Sequence, residues 1–384
     1  MPADDLRPLF TPFRLGALEL ANRFVMSPMT RNFSPGGVPG EDVATYYARR
    51  AAADVGLIVT EGVGIDHPAA IGAGSMNEHD LPVLHGQTAL AGWRTVVERV
   101  HAAGGRIAPQ LWHMGPIRLD GTGPHPDVPS ASPSGHWGPT DRAALPPAYL
   151  EQVSRPASPL ADEDIADIVA GYARSAANSR AVGFDAVAIH GAHGYLLDSF
   201  LWSGTNRRTD RWGGDFARRA TLAVNVVRAV RAATGPGCPI IFRFSQWKLQ
   251  DYGARIAGTP DELAALLGPI ADAGVDLFDA STRLFDAPAF PGSDLGLAGW
   301  AKKLTGVPAM TVGGVGLSRD LQTSFVEETR AVNNMDAVLR RFERGEFDLV
   351  GLGRALIMDP EWVRKVRGGE AVRPFRLEAY ATLD

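Results

Sequence analysis

The chain has 384 residues, of which 45% are hydrophobic, and a formal net charge of -5 at pH 7. Its length suits either two ordinary domains or one large α/β barrel with insertions. The weak negative charge creates no field that attracts nucleic acid or an anionic membrane, so we expect small molecules or proteins as partners. The one cysteine, Cys238, excludes an internal disulfide and a cysteine-ligated zinc or iron–sulfur site.

No apolar stretch has the length of a signal segment or a membrane span, so the sequence predicts a cytoplasmic protein. Short runs rich in Val, Ile and Phe recur along the chain, separated by segments with helical periodicity. This alternation is typical of parallel strands joined by crossover helices. The predicted strands number eight, as a closed barrel requires, and lie at 24–26, 56–60, 106–111, 186–190, 239–244, 276–279, 308–312 and 348–352.

Segments between these strands carry apolar residues on one helical face. Thr259-Pro-Asp-Glu262 is a capping box with proline at the first helical position, and Gly274 ends the helix that it opens. No change in composition divides the chain, so the sequence predicts an α/β fold with a single (β/α)8 TIM barrel domain over residues 1–384. The predicted helices are 41–53, 82–103, 162–182, 215–233, 260–273, 296–305, part of 320–344, and 359–367.

Two stretches are longer than a simple strand–helix repeat of the barrel requires. Residues 115–160, after the third strand, are rich in proline, glycine and serine, which predicts a lid or a disordered loop. Trp137 and Tyr149 within this stretch favour a folded lid. Residues 318–346 hold a charged amphipathic segment of the kind found in solvent-exposed barrel helices.

The active site of a (β/α) barrel lies at the carboxyl ends of its strands. His190, His193 and Tyr195 stand at the end of the fourth predicted strand. The two histidines have three possible roles: satisfied residues at the edge of the core, two ligands of a metal site, or donors to a substrate oxygen. No nearby carboxylate or thiolate offers a third metal ligand, which disfavours the metal site.

Several motifs with polar and glycine residues occur in order along the chain. They are NRFVMSPMT at 22–30, GLIVTEG at 56–62, QLWH at 110–113, IHGAHGYL at 189–196, NRRTDRWGG at 206–214 and GLGR at 351–354. Any one motif is weak evidence, but the ordered set is specific. In this order and spacing the chain resembles the old yellow enzyme family of flavin-dependent ene-reductases, from about residue 7 to about residue 366.

The resemblance implies FMN, bound without a covalent link and reduced by NADH or NADPH. It places Arg243 beside flavin N1 and O2, Gln110 at the pyrimidine edge and Thr30 near O4. The glycine-rich loops after the last two strands offer a place for one phosphate group, and the sequence lacks a G-x-G-x-x-G fingerprint. Both features favour FMN over FAD. The expected cofactor-binding residues are Ser27, Pro28, Met29, Thr30, Gly62, Gln110, Arg243, Gly313, Gly314, Gly351, Gly353 and Arg354.

For catalysis, the resemblance implies that His190 and His193 hydrogen-bond the carbonyl oxygen of an enone or enal. Hydride from the flavin would reach the β carbon, and Tyr195 would protonate the α carbon from the opposite face. Trp112, together with residues 115–160, would shape the pocket. The expected activity is therefore ene-reduction in a ping-pong cycle, by a monomer or a homo-oligomer.

Two alternatives stay open on the same barrel. One is a flavin-dependent amine oxidase or demethylase, and the other is a flavin-binding protein without catalysis. An intact set of His190, His193 and Tyr195 disfavours the second. The single cysteine and the chain's end at residue 384 predict that the iron–sulfur cluster and extra nucleotide-binding domain of longer relatives are missing.

Overall fold

The structure is a computed structural model that describes residues 3–384, and eight parallel strands in it close into a barrel. The strands pair in chain order, and the last returns to the first, so each of the eight predicted strands is confirmed. A two-stranded antiparallel hairpin precedes the barrel. The strands are β1 Phe13–Leu15 and β2 Leu18–Leu20 in the hairpin, then β3 Phe24–Met26, β4 Leu57–Gly64, β5 Ile107–Trp112, β6 Val187–His190, β7 Ile240–Ser245, β8 Leu277–Ser281, β9 Ala309–Val312 and β10 Leu349–Leu352.

Helices follow the barrel strands. The predicted capping box is confirmed, since the Thr259 hydroxyl accepts the Glu262 N–H and the Glu262 carboxylate accepts the Thr259 N–H, each at 3.2 Å. The predicted helix over 215–233 divides into two at Ala220. The helices are α1 Glu41–Ala51, α2 Gln87–Ala102, α3 Pro147–Val153, α4 Asp162–Val182, α5 Leu196–Leu201, α6 Phe216–Arg219, α7 Thr221–Thr234, α8 Pro260–Asp272, α9 Leu297–Thr305, α10 Met335–Glu343, α11 Arg354–Met358 and α12 Trp362–Gly368.

The barrel interior is an apolar cluster separate from the larger core between strands and helices. Leu15, Leu18 and Leu20 of the hairpin belong to this inner cluster, together with inward-facing residues such as Val25 and Ile241. The hairpin therefore closes the amino-terminal end of the barrel with leucine side chains, and the carboxyl-terminal end stays available for polar residues.

Residues 115–160 are folded against the barrel, so the disordered alternative is wrong. Buried Tyr149 of α3 donates its hydroxyl hydrogen to the Ile117 carbonyl at 2.8 Å and accepts the Trp137 indole N–H at 3.2 Å. Arg118 donates to three backbone carbonyls of the same loop, those of Thr122, His125 and Val128. A lid movement of this loop stays a prediction.

The charged stretch 318–346 is α-helical only in its later part. It contains a short 3-10 turn at Thr323–Phe325 and then α10, which begins at Met335. Within residues 3–384, no helix combines the length and the apolar character needed to cross a membrane.

Candidate active site

A cavity of about 470 Å³ opens at the carboxyl ends of the barrel strands. Every residue predicted for catalysis, for substrate binding or for the cofactor lines it. No described residue of the loop 115–160 is among its walls, whereas Met76 and Glu78 are. The predicted site residues that line the cavity are Ser27, Pro28, Met29, Thr30, Gly62, Gln110, Trp112, His190, His193, Tyr195, Arg243, Gly313, Gly314, Gly351, Gly353 and Arg354.

A larger cavity of about 910 Å³ lies under the loop 115–160, bordered by His67, Arg118 and Asp167. Its walls come from the loop 115–160, from the segment after β4 and from the start of α4, and none of the predicted site residues lines it. We therefore assign the smaller cavity as the candidate active site, because polar groups from many strands converge there.

The turn from β6 to α5 presents both histidines and the tyrosine. His193 adopts a left-handed conformation with φ of 66°, which is rare for a residue with a side chain. Two hydrogen bonds hold it there: its N–H donates to Ser245 Oγ at 3.0 Å, and its carbonyl accepts the Leu249 N–H at 3.1 Å. Gly194 is required beside it, since a Cβ would overlap the Gln250 side chain.

Local hydrogen bonds indicate how His190 is protonated. The Ala192 N–H donates to His190 Nδ1 at 3.3 Å, so neutral His190 carries its hydrogen on Nε2. Burial lowers the pKa of His190 well below its usual value, and the positive charge of Arg243 lowers it further. His190 is therefore a neutral donor through Nε2.

His193, which follows β6, is held by a serine at the end of β8, two strands further along the barrel. Its Nε2 lies 2.8 Å from Ser281 Oγ, and Arg243 Nη2 donates to the same oxygen at 3.2 Å. Among the described contacts, His193 Nε2 is the acceptor available to the Ser281 hydroxyl hydrogen, which places the imidazole hydrogen on Nδ1. Burial, and then the charge of Arg243, lowers the pKa of His193 well below its usual value.

Tyr195 is wedged between two aromatic rings and bonded to a buried carboxyl group. Its ring meets those of Trp112 and His190 edge-on, with centroids 4.9 Å and 5.0 Å away. Its hydroxyl donates to Glu78 Oε1 at 3.3 Å. Burial raises the pKa of Tyr195 well above its ordinary value, and the charge of Glu78 raises it further. No sequence motif marks Glu78, which stands 117 residues before Tyr195.

Arg243 on β7 faces Asp279 on β8, and the two are paired in strand register. Arg243 Nε lies 3.5 Å from Asp279 Oδ2, and both side chains are buried. Burial raises the pKa of Asp279, and the Arg243 charge opposes this shift. Asp279 thus balances a cation that the sequence assigns to the cofactor, and sequence reasoning did not identify this partner.

The cavity walls fit FMN. Several buried donor atoms on residues lining it make no hydrogen bond within the described part of the chain, among them Ser27 Oγ, Gln110 Nε2 and Trp112 Nε1. Arg243 Nε also makes no hydrogen bond and has the 3.5 Å ion pair with Asp279. A buried donor without a partner costs about 1–3 kcal/mol, so such atoms indicate a polar ligand. The oxygen and nitrogen atoms of a flavin ring match this donor set.

The expected phosphate loops lie at the same cavity. Gly313 and Gly314 have φ angles of 137° and 70°, which glycine alone adopts without strain. Arg354 lines the cavity, but it donates through Nη1 and Nη2 to the carbonyls of Asp320 and Arg319, at 3.2 Å and 2.6 Å. Part of its donor capacity thus stabilises the neighbouring loop instead of an anion.

Gly62 has a packing role beside its predicted place at the flavin. A Cβ on Gly62 would lie 2.6 Å from the Trp112 ring, so the glycine makes room for this side chain. Among the described residues, no group of three or more His, Cys, Asp or Glu is arranged to hold a metal ion.

A closed (β/α)8 barrel with unbonded donors, neutral imidazoles and a phenol at its carboxyl end fits a flavin-dependent oxidoreductase. The chain matches the NADH:flavin oxidoreductase / NADH oxidase family over residues 8–372 and belongs to this family, which includes the old yellow enzymes. FMN as cofactor follows from this membership.

Individual relatives are moderately similar. The NADH oxidase of Thermoanaerobacter brockii is 29% identical over 94% of this chain and 51% of its own length. Putative 12-oxophytodienoate reductase 2 of Oryza sativa subsp. japonica is 38% identical over 61% of this chain and 58% of its own length. The chain thus spans little more than half the length of these relatives.

Among solved structures, morphinone reductase in complex with tetrahydroNAD superposes with a TM-score of 0.79 at 27% identity. The superposition covers 97% of this chain and 93% of the other. The whole barrel is therefore shared with a nicotinamide-binding reductase.

Proposed function

We propose that this protein is an ene-reductase, which uses NADH or NADPH to reduce the C=C bond of α,β-unsaturated carbonyl compounds through FMN. One observation carries the proposal: His190, His193 and Tyr195 border the same cavity as Arg243 and as the unbonded donors of Ser27 and Gln110. Groups that can bind a carbonyl oxygen and supply a proton thus stand beside the expected flavin edge.

The cofactor would be held by the chain's own donors. Gln110 and Arg243 would bond the pyrimidine edge, with Ser27 and Thr30 near the ring and the glycines of the last two loops at the phosphate. When bound and reduced, FMN supplies a hydride to an electron-poor carbon. Asp279 and Ser281 keep Arg243 oriented toward the cavity.

The substrate would be polarised by two neutral imidazoles. His190 through Nε2 and His193 through Nδ1 donate hydrogen bonds to the carbonyl oxygen, where negative charge develops as the double bond is reduced. Tyr195 gives its hydroxyl proton to the α carbon. Trp112 excludes water behind the tyrosine, where its buried ring contacts the Tyr195 ring.

The names of relatives support a reductase, since they include a 12-oxophytodienoate reductase and morphinone reductase. The proposal includes three further expectations: one domain over residues 1–384, a small-molecule enone or enal as partner, and either nicotinamide as donor. Limited proteolysis without a stable fragment would support the single domain.

An anaerobic visible spectrum of the purified protein tests the proposal. We expect a yellow protein that bleaches with NADPH or NADH and regains its colour when 2-cyclohexenone is added. Release of the flavin by heat and its chromatography identify it as FMN.

Colour that does not return with the enone contradicts ene-reduction and favours the amine oxidase or the non-catalytic flavoprotein. A colourless protein that takes up no FMN contradicts the flavin site itself.

A further inference from the structure

We propose that Glu78 is a positioning residue that decides when Tyr195 can release its proton. As a carboxylate it would hold the phenol hydrogen, and as a carboxylic acid it would donate to the phenol oxygen and free that hydrogen for the substrate. The inference rests on the proposed function, because it takes Tyr195 as the acid.

The contacts of Tyr195 fix the orientation of its ring and of its hydroxyl group. Trp112 and His190 fix the plane of the ring from two sides. Among the described residues, Glu78 is the hydrogen-bond partner of the hydroxyl, at 3.3 Å. Glu78 itself is only 4% exposed and lines the cavity. The carboxyl group thus lies where it can control the phenol hydrogen.

The second oxygen of Glu78 is also occupied. The Met76 N–H donates to Oε2 at 2.8 Å, so this oxygen must act as an acceptor. When the carboxyl group is protonated, its hydrogen therefore belongs on Oε1, the oxygen that faces Tyr195. The backbone of Met76 in this way orients the acid toward the phenol.

The two protonation states have opposite effects on Tyr195. An ionised carboxylate can only accept, so the phenol hydrogen points at Glu78, and the negative charge opposes formation of a tyrosinate. A protonated carboxyl group donates to the phenol oxygen, which stabilises the tyrosinate and lets the phenol hydrogen turn toward the cavity. Tyr195 is thus a poor acid in the first state and a competent acid in the second.

The surroundings favour the protonated state. Burial raises the pKa of Glu78, and hydrogen bonds from Met76 and Tyr195 oppose the shift. Tyr195 and Tyr149, from the loop 115–160, are the titratable groups that face Glu78 in the described chain, and both are neutral phenols. No described cation acts on the carboxyl group.

The proton transfers balance. The Tyr195 O–H bond breaks as a C–H bond forms at the substrate α carbon. The Glu78 O–H bond breaks as the Tyr195 O–H bond forms again, and the carboxylate takes its next proton from water that enters the cavity. Neither residue changes its oxidation state, and one proton is consumed in each turnover.

The test measures flavin reoxidation by 2-cyclohexenone in a stopped-flow instrument, from about pH 5 to about pH 9. In the wild type we expect the rate to fall about tenfold as Glu78 ionises. In Glu78→Gln the Met76 N–H bonds the amide oxygen, so the amide NH₂ faces Tyr195 at every pH. We therefore expect this variant to keep a high, flat rate where the wild type slows.

Two variants serve as controls. When Glu78→Gln is added to Tyr195→Phe, the rate of flavin reoxidation should not change further at any pH, because the phenol on which Glu78 acts is gone. Glu61→Gln alters another buried glutamate that does not contact Tyr195, and it should keep the wild-type shape of the profile. A Glu78→Gln profile that still falls with pH, or a rate lowered equally at every pH, overturns the proposal.

A second measurement does not depend on the substrate. The infrared difference between the wild type and Glu78→Gln should show the C=O stretch of a protonated carboxyl group at the lower end of the pH range, and this band should weaken as pH rises and Glu78 ionises. If the wild type is not reoxidised by the enone, the proposed function fails, but the band still tests the state of Glu78. Absence of the band at the lower pH overturns the inference.

Discussion

The two ends of the barrel are built from opposite kinds of residues. At the amino-terminal end, Leu15, Leu18 and Leu20 of the hairpin continue an apolar cluster into the barrel. At the carboxyl-terminal end, buried donors such as Ser27 Oγ and Gln110 Nε2 make no hydrogen bond within the described chain, and His193 has a left-handed backbone. The comparison teaches that the first end contributes stability, while the second gives up stability to keep groups ready for ligands.

The largest effect should come from the functional end. Replacing Tyr195 by Phe removes the proposed acid, and general acid catalysis typically contributes about 100-fold to 10,000-fold in rate. We expect enone-dependent flavin reoxidation to slow by at least about 100-fold, while flavin content and reduction by NADPH stay the same. Stopped-flow measurement of both half-reactions checks this. Loss of bound flavin would instead assign Tyr195 a structural role.

The closed end should respond in stability and not in chemistry. Leu20 is fully buried, so Leu20→Ala should lower the free energy of unfolding by about 2–5 kcal/mol. Leu20→Met conserves most of the volume and should cost less than about 1.5 kcal/mol. Urea denaturation measures both values. If Leu20→Ala changed the enone rate of the folded enzyme, the separation of the two ends would be wrong.

A buried carboxyl group near the functional end should make stability depend on pH. Burial raises the pKa of Glu61 from 4.5 to about 7, so between these values the folded protein binds a proton that the unfolded chain does not. Stability therefore falls as pH rises through this window, by about 3 kcal/mol in total. Glu61→Gln should remove this contribution, which urea denaturation at several pH values measures. If the free energy of unfolding depended on pH equally in the wild type and in Glu61→Gln, Glu61 would not be the cause of this dependence.

The smallest effect should come from Ser281, which links Arg243 to His193. Ser281→Ala leaves His193 without its partner, and a hydrogen bond of this kind contributes about 1 kcal/mol, or roughly fivefold in affinity. We expect a higher KM for the enone and a smaller change in kcat. Ser281→Thr keeps a hydroxyl group and is the matched control. A similar rise of KM in Ser281→Ala and Ser281→Thr would indicate that Ser281 acts through packing instead of through its hydrogen bonds.

Much of the fold followed from the sequence because its signals are local. Alternating apolar runs and helical faces located all eight barrel strands, and the Thr259–Glu262 box located the start of α8. Local signals failed where tertiary contacts decide: the loop 115–160 is ordered through Tyr149 and Arg118, whose partners the proline-rich composition does not reveal.

The candidate site divides in the same way. Motif order identified His190, His193 and Tyr195, and the family resemblance added Arg243 at the end of a predicted strand. The structure gathers these four residues at one cavity. Motif order could not identify the residues that hydrogen-bond these side chains. Glu78 lies 117 residues from Tyr195, and Ser281 lies 88 residues from His193.

The sequence by itself determined the order of strands and helices and the chemical groups at the strand ends, because periodicity and motif spacing are properties of neighbouring residues. Only the tertiary structure decided which groups touch. The Tyr195–Glu78 bond, the Ser281 link between Arg243 and His193, and the Arg243–Asp279 pair exist because closing the barrel brings separate strand ends and loops to one rim. Hydrogen bonds and charge interactions act over a few ångströms, so their partners are set by this closure and not by distance along the chain.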